Sequence, residues 1–268
     1  LILPATEIVD PDALRARLFA EVEAAGSDAM ARRKAAVAIL RQAQATGRDA
    51  IAAAFAARPF DARPTTEAYA WLTDQLVIAT FELARTRLHP LSNPTEQERL
   101  ALIAVGGYGR GEMAPHSDVD LLFLAPYKLT PWAETVIESM LYILWDLKMK
   151  VGHASRTVKE CLRLGREDYT IRTALVERRF LAGDEALAED LSERLQTELF
   201  SGTVADFIEA KLEERATRHR KQGGQRYMVE PNVKEGKGGL RDLQSPYWIG
   251  KYIHGLHDAS ELVQHKVF

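Results

Sequence analysis

The sequence is most informative at the stretch Gly106-Gly-Tyr-Gly-Arg-Gly-Glu-Met-Ala-Pro-His-Ser-Asp-Val-Asp120. The apolar run Leu100-Ala-Leu-Ile-Ala-Val105 precedes it, and the run Leu121-Leu-Phe-Leu124 follows it directly. Short apolar runs that are bounded by glycine are typical of buried β-strands. The stretch therefore predicts one strand, a glycine bend and a second strand, with two aspartates at the start of the second strand.

The glycines exclude two familiar phosphate-binding motifs. The dinucleotide-binding fingerprint Gly-x-Gly-x-x-Gly, counted from Gly107, has Glu112 in its sixth position. The P-loop spacing fits Gly106 and Gly111, but Glu112 and Met113 stand where that motif has Lys and Ser or Thr. What remains is a glycine bend that lets the backbone approach a phosphate closely.

The aspartate pair indicates a metal site. Asp118 and Asp120 lie two residues apart, so on a strand both side chains leave the same face, roughly 7 Å apart. The neighbouring Val119, Leu121 and Phe123 would then point into a core. Two carboxylates on one face repel each other unless cations neutralise them, and Mg²⁺ prefers such oxygen ligands. A solvated turn is the alternative, since Ser-Asp-x-Asp is also a common loop sequence.

Composition limits the class of protein. The 268 residues include 35 Lys and Arg against 38 Asp and Glu, and the net charge of −3 argues against coating nucleic acid through bulk charge. The single cysteine, Cys161, excludes intrachain disulfides and cysteine-rich zinc sites. There is no apolar run of membrane-spanning length and no signal-peptide pattern, so we expect a cytoplasmic protein.

The regions on either side of the stretch are predicted to be mainly helical. Residues 1–93 show helical spacing, with interruptions at Gly26 and Gly47, and are expected to act as a scaffold. After the aspartates, a helix is predicted to begin at Thr130-Pro131 and a third strand to occupy residues 148–151.

Further helices and one more strand complete the prediction. The spacing of Thr157 and Glu160 is that of a capping box, which starts a helix. Helical patterns continue to about residue 220, where we expect Arg218 to Lys221 to form a solvated face. A brief strand is predicted at residues 227–230, followed by a glycine-rich turn.

Two resemblances follow from these motifs. The glycines and the Asp118-Val-Asp120 pair resemble the signature of the nucleotidyltransferase superfamily typified by DNA polymerase β. Together with Glu230-Pro-Asn-Val-Lys-Glu-Gly-Lys-Gly-Gly-Leu-Arg-Asp-Leu-Gln244, the stretch resembles the N-terminal part of the bacterial PII-protein uridylyltransferase/uridylyl-removing enzymes. The likeness spans residues 100–252 and is weaker over the N-terminal helices.

The resemblance implies a fold and a domain organisation. The fold class is α+β, a small mixed sheet of the polymerase β type with a helical N-terminal region and helical additions. We expect a helical region at residues 1–93, a nucleotidyltransferase domain at 94–245 and the start of a following helical region at 246–268. The family's HD and ACT domains are expected to be absent, because a lone His257-Asp258 does not make an HD domain.

The resemblance also implies a reaction. The family transfers UMP from UTP to a tyrosine hydroxyl of the nitrogen-regulatory protein PII, with Mg²⁺, or alternatively Mn²⁺, as the metal. An adenylyltransferase that acts on glutamine synthetase and a non-catalytic nucleotide sensor are the alternatives. The net charge and the lack of an aromatic and basic stripe disfavour an enzyme acting on nucleic acid.

Site residues follow from matching the motifs to this sequence. The metal ligands, which are also the catalytic residues, are expected to be Asp118, Asp120 and, as the third carboxylate, Glu230. Glu177 is the competitor for that third place, but its surroundings predict a solvated helical glutamate. The nucleotide-binding residues are expected to contact phosphate, and they are Gly106, Gly107, Ser117, Lys234, Lys237 and Arg241.

Overall fold

A computed structural model of the chain describes residues 1–93, 95–221, 230, 232–255 and 261–264. The strand predicted at residues 227–230 falls outside these ranges except for its last residue, and His257-Asp258 lies outside them entirely.

The N-terminal region is helical, as predicted. Its helices are α1 (Ala5–Ile8), α2 (Pro11–Ala24), α3 (Ala29–Ala57) and α4 (Ala62–Leu83), and a π-helical turn, Ala84–Leu88, extends the last one. The carboxylate of Asp10 caps α2 by accepting from the backbone N–H groups of Asp12 and Ala13.

Gly47 does not interrupt a helix, so this prediction was wrong. It lies buried inside α3, where a Cβ atom would stand 2.7 Å from the side chain of Leu72 and 3.0 Å from the carbonyl oxygen of Ile8. The glycine allows α3 to pack closely against its neighbours. Gly26, with φ +77°, does follow the end of α2.

Four strands form a mixed sheet, which confirms the predicted α+β class. They are β1 (Ala101–Ala104), β2 (Val119–Ala125), β3 (Val151–Thr157) and β4 (Arg179–Gly183), in the spatial order β3-β2-β1-β4. Strand β1 pairs antiparallel with both β2 and β4, whereas β2 and β3 are parallel. As predicted, Val119, Leu121 and Phe123 point into the hydrophobic core, which also holds Leu72 and Leu76 of α4.

Two strand predictions needed correction. Strand β3 begins at Val151, where the predicted strand ended, because the preceding residues cap the helix α6 (Pro131–Asp146). The N–H of Lys148 donates to the carbonyl of Trp145, and that of Met149 to Leu144. Strand β4 was missed, since it lies in a stretch predicted to be helical.

The remaining helices lie between the strands or after them in the sequence. They are α5 (Gly106–Gly109), α7 (Val158–Glu167), α8 (Tyr169–Val176), α9 (Glu185–Arg194) with a π-helical turn Leu195–Phe200, α10 (Val204–Lys221), α11 (Leu240–His254) and α12 (Glu261–Gln264). The predicted capping box is confirmed, because the Thr157 N–H donates to the Glu160 carboxylate and the Glu160 N–H to the Thr157 hydroxyl.

The chain divides into two compact units. The first comprises Leu1–Glu160 and Glu177–Asp190, and the second comprises Cys161–Val176 and Leu191–Phe268. The N-terminal helices and the sheet therefore share the first unit, while the domain boundaries at residues 93 and 245 stay a prediction. Within the ranges given above, no helix combines the length and apolarity needed to cross a membrane.

Candidate active site

The glycine bend lies beside the second aspartate. Val105 follows β1, and its N–H donates to the backbone carbonyl of Asp120 at 3.0 Å. Gly106 then adopts φ +59°, a conformation that favours glycine, and begins the short helix α5. A Cβ atom at Gly106 would stand 3.3 Å from Oδ2 of Asp120. The structure thus brings together the bend and the carboxylate that the sequence placed in one site.

A second glycine leaves space on the other side of the same carboxylate. Asp120 is the register partner of Gly152 on the parallel strand β3. A Cβ atom at Gly152 would stand 2.5 Å from Oδ1 of Asp120, so any other residue there would displace the carboxylate. Both oxygens of Asp120 therefore face glycine.

The electrostatics of the aspartate pair fit a cation site. Burial, and after it the negative charge of the exposed Asp118, raises the pKa of Asp120. Neither carboxylate forms a hydrogen bond or an ion pair with any residue that the structure describes. A half-buried carboxylate next to a second one, with no cationic side chain of the described residues to neutralise it, has the oxygen donors and the free charge that Mg²⁺ requires.

An ion pair anchors the far end of the glycine bend. Arg110 donates from one guanidinium nitrogen to both carboxylate oxygens of Glu177, at 2.5 and 2.7 Å. Glu177 is only 2% exposed and lies between α8 and β4. The expectation of a solvated helical glutamate was therefore wrong: the side chain is buried, and Arg110 neutralises it.

The entry to β4 also packs directly on the bend. A Cβ atom at Gly109 would stand 1.7 Å from the carbonyl oxygen of Glu177, so this position accepts only glycine. Sequence reasoning missed both this contact and the role of Arg110. The sequence does contain one sign of this contact, Gly109 itself. The predicted phosphate contacts use Gly106 and Gly107, so they give no reason for a glycine at position 109.

Ser117 closes the turn that leads to the aspartates. Its hydroxyl oxygen accepts from the backbone N–H of Ala114 at 3.0 Å, and its own N–H donates to the Ala114 carbonyl at 3.1 Å. The side chain is exposed and immediately precedes Asp118. Its hydroxyl proton stays available to a ligand, so the predicted phosphate contact stays a prediction.

The second unit carries the other predicted site residues. Glu230 is exposed. Across the part of the chain that the structure describes, no group of three or more His, Cys, Asp and Glu side chains could hold a metal ion. The assignment of Glu230 as third ligand therefore stays a prediction.

The glycine-rich turn of the second unit is held by Asp242. This carboxylate accepts from the N–H of Gly238 at 2.9 Å, from Arg218 at 2.7 Å and from His219 at 2.9 Å. Burial alone would raise the pKa of Asp242, but these hydrogen bonds lower it to about 2. Arg218 is buried and paired, so the expected solvated face was wrong for this residue, whereas Arg220 and Lys221 are exposed.

The three predicted phosphate-binding side chains differ in the interactions that they form within the protein. The Arg241 guanidinium lies 5.5 Å from the ring centre of Trp248 and donates to Gln244 at 3.2 Å. Lys237 also has a partner. The Lys234 side chain is exposed, and its ammonium forms no hydrogen bond or ion pair with another described residue. Of the three, Lys234 is therefore the one most available to an anionic ligand.

Comparison with known proteins gives two family matches. Residues 206–268 match the family described as GlnD PII-uridylyltransferase. Residues 4–143 match the family described as glutamate-ammonia ligase adenylyltransferase. Both families are named for nucleotide transfer to a protein, so the matches agree on the class of reaction and differ in the nucleotide.

Individual relatives cover nearly the whole chain. Three proteins named bifunctional uridylyltransferase/uridylyl-removing enzyme are 62% identical over 264 residues in Cereibacter sphaeroides, 63% over 254 in Ruegeria pomeroyi and 50% over 262 in Caulobacter vibrioides. These alignments cover 98%, 95% and 97% of this chain but 28% of each relative. With this identity along its length, the chain belongs to the family of bifunctional uridylyltransferase/uridylyl-removing enzymes, of whose length it spans about 28%.

Proposed function

We propose that this chain carries the uridylyltransferase activity of its family: it transfers UMP from UTP to a tyrosine hydroxyl of PII and releases pyrophosphate. The observation that carries the proposal is the pair Asp118 and Asp120, which no described residue neutralises, beside the glycine bend. The relatives' name, at 62–63% identity, supports the choice of UTP.

The metal site is part of the proposal. Mg²⁺, or alternatively Mn²⁺, would supply positive charge to the triphosphate and to the attacking oxygen. Asp118 and Asp120 would hold it, with Glu230 as a third ligand. The space that Gly106 and Gly152 leave around Asp120 supports this assignment, because at these two positions no side chain competes with a ligand for the carboxylate oxygens.

The chain's own contribution is to position the reactants and to bind negative charge. In the reaction, the phenolic oxygen forms a bond to the α-phosphorus, and the bond from that phosphorus to the bridging oxygen of pyrophosphate breaks. Pyrophosphate leaves with the electron pair, and the phenolic proton passes to solvent. The N–H groups of Gly106 and Gly107 and the hydroxyl of Ser117 would bind phosphate oxygens, as would the side chains of Lys234, Lys237 and Arg241.

The remaining partners and the location belong to the same proposal. PII is the acceptor and UTP the donor, whereas neither nucleic acid nor a membrane is required. A cytoplasmic location follows from the chemistry, since UTP is a cytoplasmic metabolite.

Adenylylation of glutamine synthetase is the second candidate. The match of residues 4–143 to the adenylyltransferase family favours it, and this segment contains the glycine bend and both aspartates. The bend and the carboxylates recognise phosphates and a metal, so they do not distinguish uracil from adenine.

Labelled nucleotides separate the candidates. The chain is incubated with Mg²⁺ and α-³²P-labelled UTP or ATP, in the presence of PII or glutamine synthetase. We expect label on PII from UTP alone, and none after addition of EDTA. Label that comes from ATP alone would overturn the proposal in favour of the second candidate. Binding of UTP without label on either acceptor would identify a nucleotide sensor.

The third ligand is tested in the same assay with Glu230→Gln. If Glu230 holds the metal, the Mg²⁺ concentration for half-maximal transfer rises, by about tenfold. An unchanged Mg²⁺ requirement removes Glu230 from the ligand set.

A further inference from the structure

A buried network lies behind the glycine bend. Tyr108, within α5, is almost completely buried, and its hydroxyl donates to Oδ1 of Asp74 at 2.7 Å. Asp74 is itself buried and comes from α4, in the N-terminal region of the chain. The carboxylate is thus placed against the bend by a helix far away in sequence.

Arg179 of β4 completes the network. Its guanidinium donates to both carboxylate oxygens of Asp74, at 2.7 and 3.0 Å. It also donates to the backbone carbonyls of Tyr108 and Gly109, each at 3.3 Å. The Asp74 carboxylate therefore orients two side chains. One is Tyr108, which belongs to the bend, and the other is Arg179, which donates hydrogen bonds to the backbone of the bend.

The protonation state and the hydrogen bonds of the network fix the positions of Asp74, Tyr108 and Arg179. Burial, and after it the charge of Asp74, raises the pKa of Tyr108 well above its ordinary value, so the phenol stays a hydrogen-bond donor. In a buried site, a planar arginine fork that binds a carboxylate through two nitrogens fixes both partners. The same short helix carries Gly106 and Gly107, whose backbone N–H groups are the proposed phosphate ligands.

We infer that Asp74 is a positioning residue for nucleotide binding: through Tyr108 and Arg179, it holds the glycine bend in the conformation that receives the phosphates. The inference rests on the proposed function. Asp74 lies on helix α4, so this helix would help to position the nucleotide-binding residues, whereas only a scaffold role was expected for residues 1–93.

The test compares Asp74→Asn and Tyr108→Phe with a matched control on the same helix. Glu82→Gln is that control, because it breaks the ion pair of Glu82 with Arg15 at 2.6 Å and lies away from the bend. For each variant we measure the Kd for UTP with Mg²⁺, KM and kcat for transfer, the melting temperature, and hydrogen exchange of the amides at residues 106–111.

Asp74→Asn is expected to raise the Kd and KM for UTP by roughly ten- to a hundredfold and to accelerate exchange at residues 106–111. Tyr108→Phe, which keeps the pair of Asp74 with Arg179, should show the same changes to a smaller extent. The double variant should be little worse than Asp74→Asn, because the two residues act as a unit. Glu82→Gln should change the melting temperature only.

A folded Asp74→Asn variant with wild-type KM and exchange would overturn the inference. If that variant fails to fold, Tyr108→Phe decides, and unchanged KM and exchange there would overturn it equally. Failure of the wild-type chain to bind UTP would instead count against the proposed function. In that case the exchange data still decide whether Asp74 holds the bend.

Discussion

Each of the two compact units contains an aspartate next to a glycine turn. The pKa values of the two aspartates are shifted in opposite directions, and the two differ in whether a protein group binds the carboxylate. In the first unit, burial and the charge of Asp118 raise the pKa of Asp120, and no described residue neutralises it. In the second unit, Asp242 is bound by a backbone N–H, an arginine and a histidine, and its pKa falls to about 2. The second carboxylate holds its turn, whereas no described residue binds the first, which we propose binds the metal.

The direction of the pKa shift indicates whether an aspartate lowers or raises the stability of the folded chain. A carboxylate whose pKa is raised in the folded chain costs stability when it ionises, and such a cost is common where a charged group serves binding or catalysis. A carboxylate whose pKa is lowered contributes stability. The predictions below test whether the two aspartates differ in this way, starting with the largest expected effect.

Asp120→Asn should give the largest effect. Removal of the charge should reduce transfer by at least about a hundredfold, since the metal loses a ligand. The same change should raise the melting temperature of the metal-free chain at neutral pH. The reason is that ionisation of Asp120, with its raised pKa, disfavours the folded state as pH rises through that pKa. Transfer assays and thermal unfolding in EDTA measure the two effects.

Asp190→Asn, at an exposed position of the same unit, is the control and should change neither quantity. Near-normal transfer by Asp120→Asn would contradict the metal assignment. A lower melting temperature with lost activity would mean that Asp120 is structural, like Asp242.

Gly109→Ala should be the most destabilising of the glycine changes. The new Cβ would meet the Glu177 carbonyl oxygen at 1.7 Å, and rotation of a side chain cannot move either atom away, so we expect a loss of about 3 kcal/mol or more. Gly202→Ala is the comparison: φ is +79° there but nothing lies within 4 Å, so it should cost about 1 kcal/mol. Urea unfolding measures both, and equal losses would contradict the close packing of β4 on the bend.

The elements that the sequence predicts correctly are those that local pattern determines. Strand β1 is a continuous apolar run and β2 is one from Leu121 onwards, and the capping box of Thr157 and Glu160 involves residues three apart. Gly47 and β4 were mispredicted because tertiary packing decides them. Gly47 is required by the contact of α3 with Leu72, and β4 exists through its pairing with β1.

The same reasoning applies to the site. The bend and the aspartates lie within fifteen residues, so their spacing alone predicts that they share one site. The groups that hold the bend come from far away: Glu177 is 67 residues from Arg110, and Asp74 is 105 residues from Arg179. No periodicity or motif pairs such residues, and only the folded chain brings them into contact.

Asp242→Asn should cost about 1–3 kcal/mol of stability in the second unit, because the neutral amide removes the nearest counter-charge of the buried Arg218, whose other carboxylate neighbours, Glu214 and Glu235, lie at 3.6 and 3.9 Å. The effect should depend on pH. The folded pKa of about 2 lies below the ordinary 3.8, so the stabilisation by Asp242 is complete above about pH 4 and is lost as pH falls towards 2. Urea unfolding at pH 5 and pH 3 should show a larger difference between wild type and variant at pH 5. Glu193→Gln, exposed in the same unit, should show no difference at either pH.

Lys234→Gln should give the smallest effect, and it tests whether the exposed lysine of the turn that Asp242 holds contacts the nucleotide. An exposed ammonium that contacts phosphate contributes little, so KM for UTP should rise by about two- to fivefold and depend less on salt, with the melting temperature unchanged. Lys159→Gln, an exposed lysine of the first unit, should leave KM unchanged. Lys237 and Arg241 have partners within the protein, so loss of either would mix stability with binding. If Lys234→Gln leaves KM and its salt dependence at wild-type values, Lys234 has no part in binding UTP.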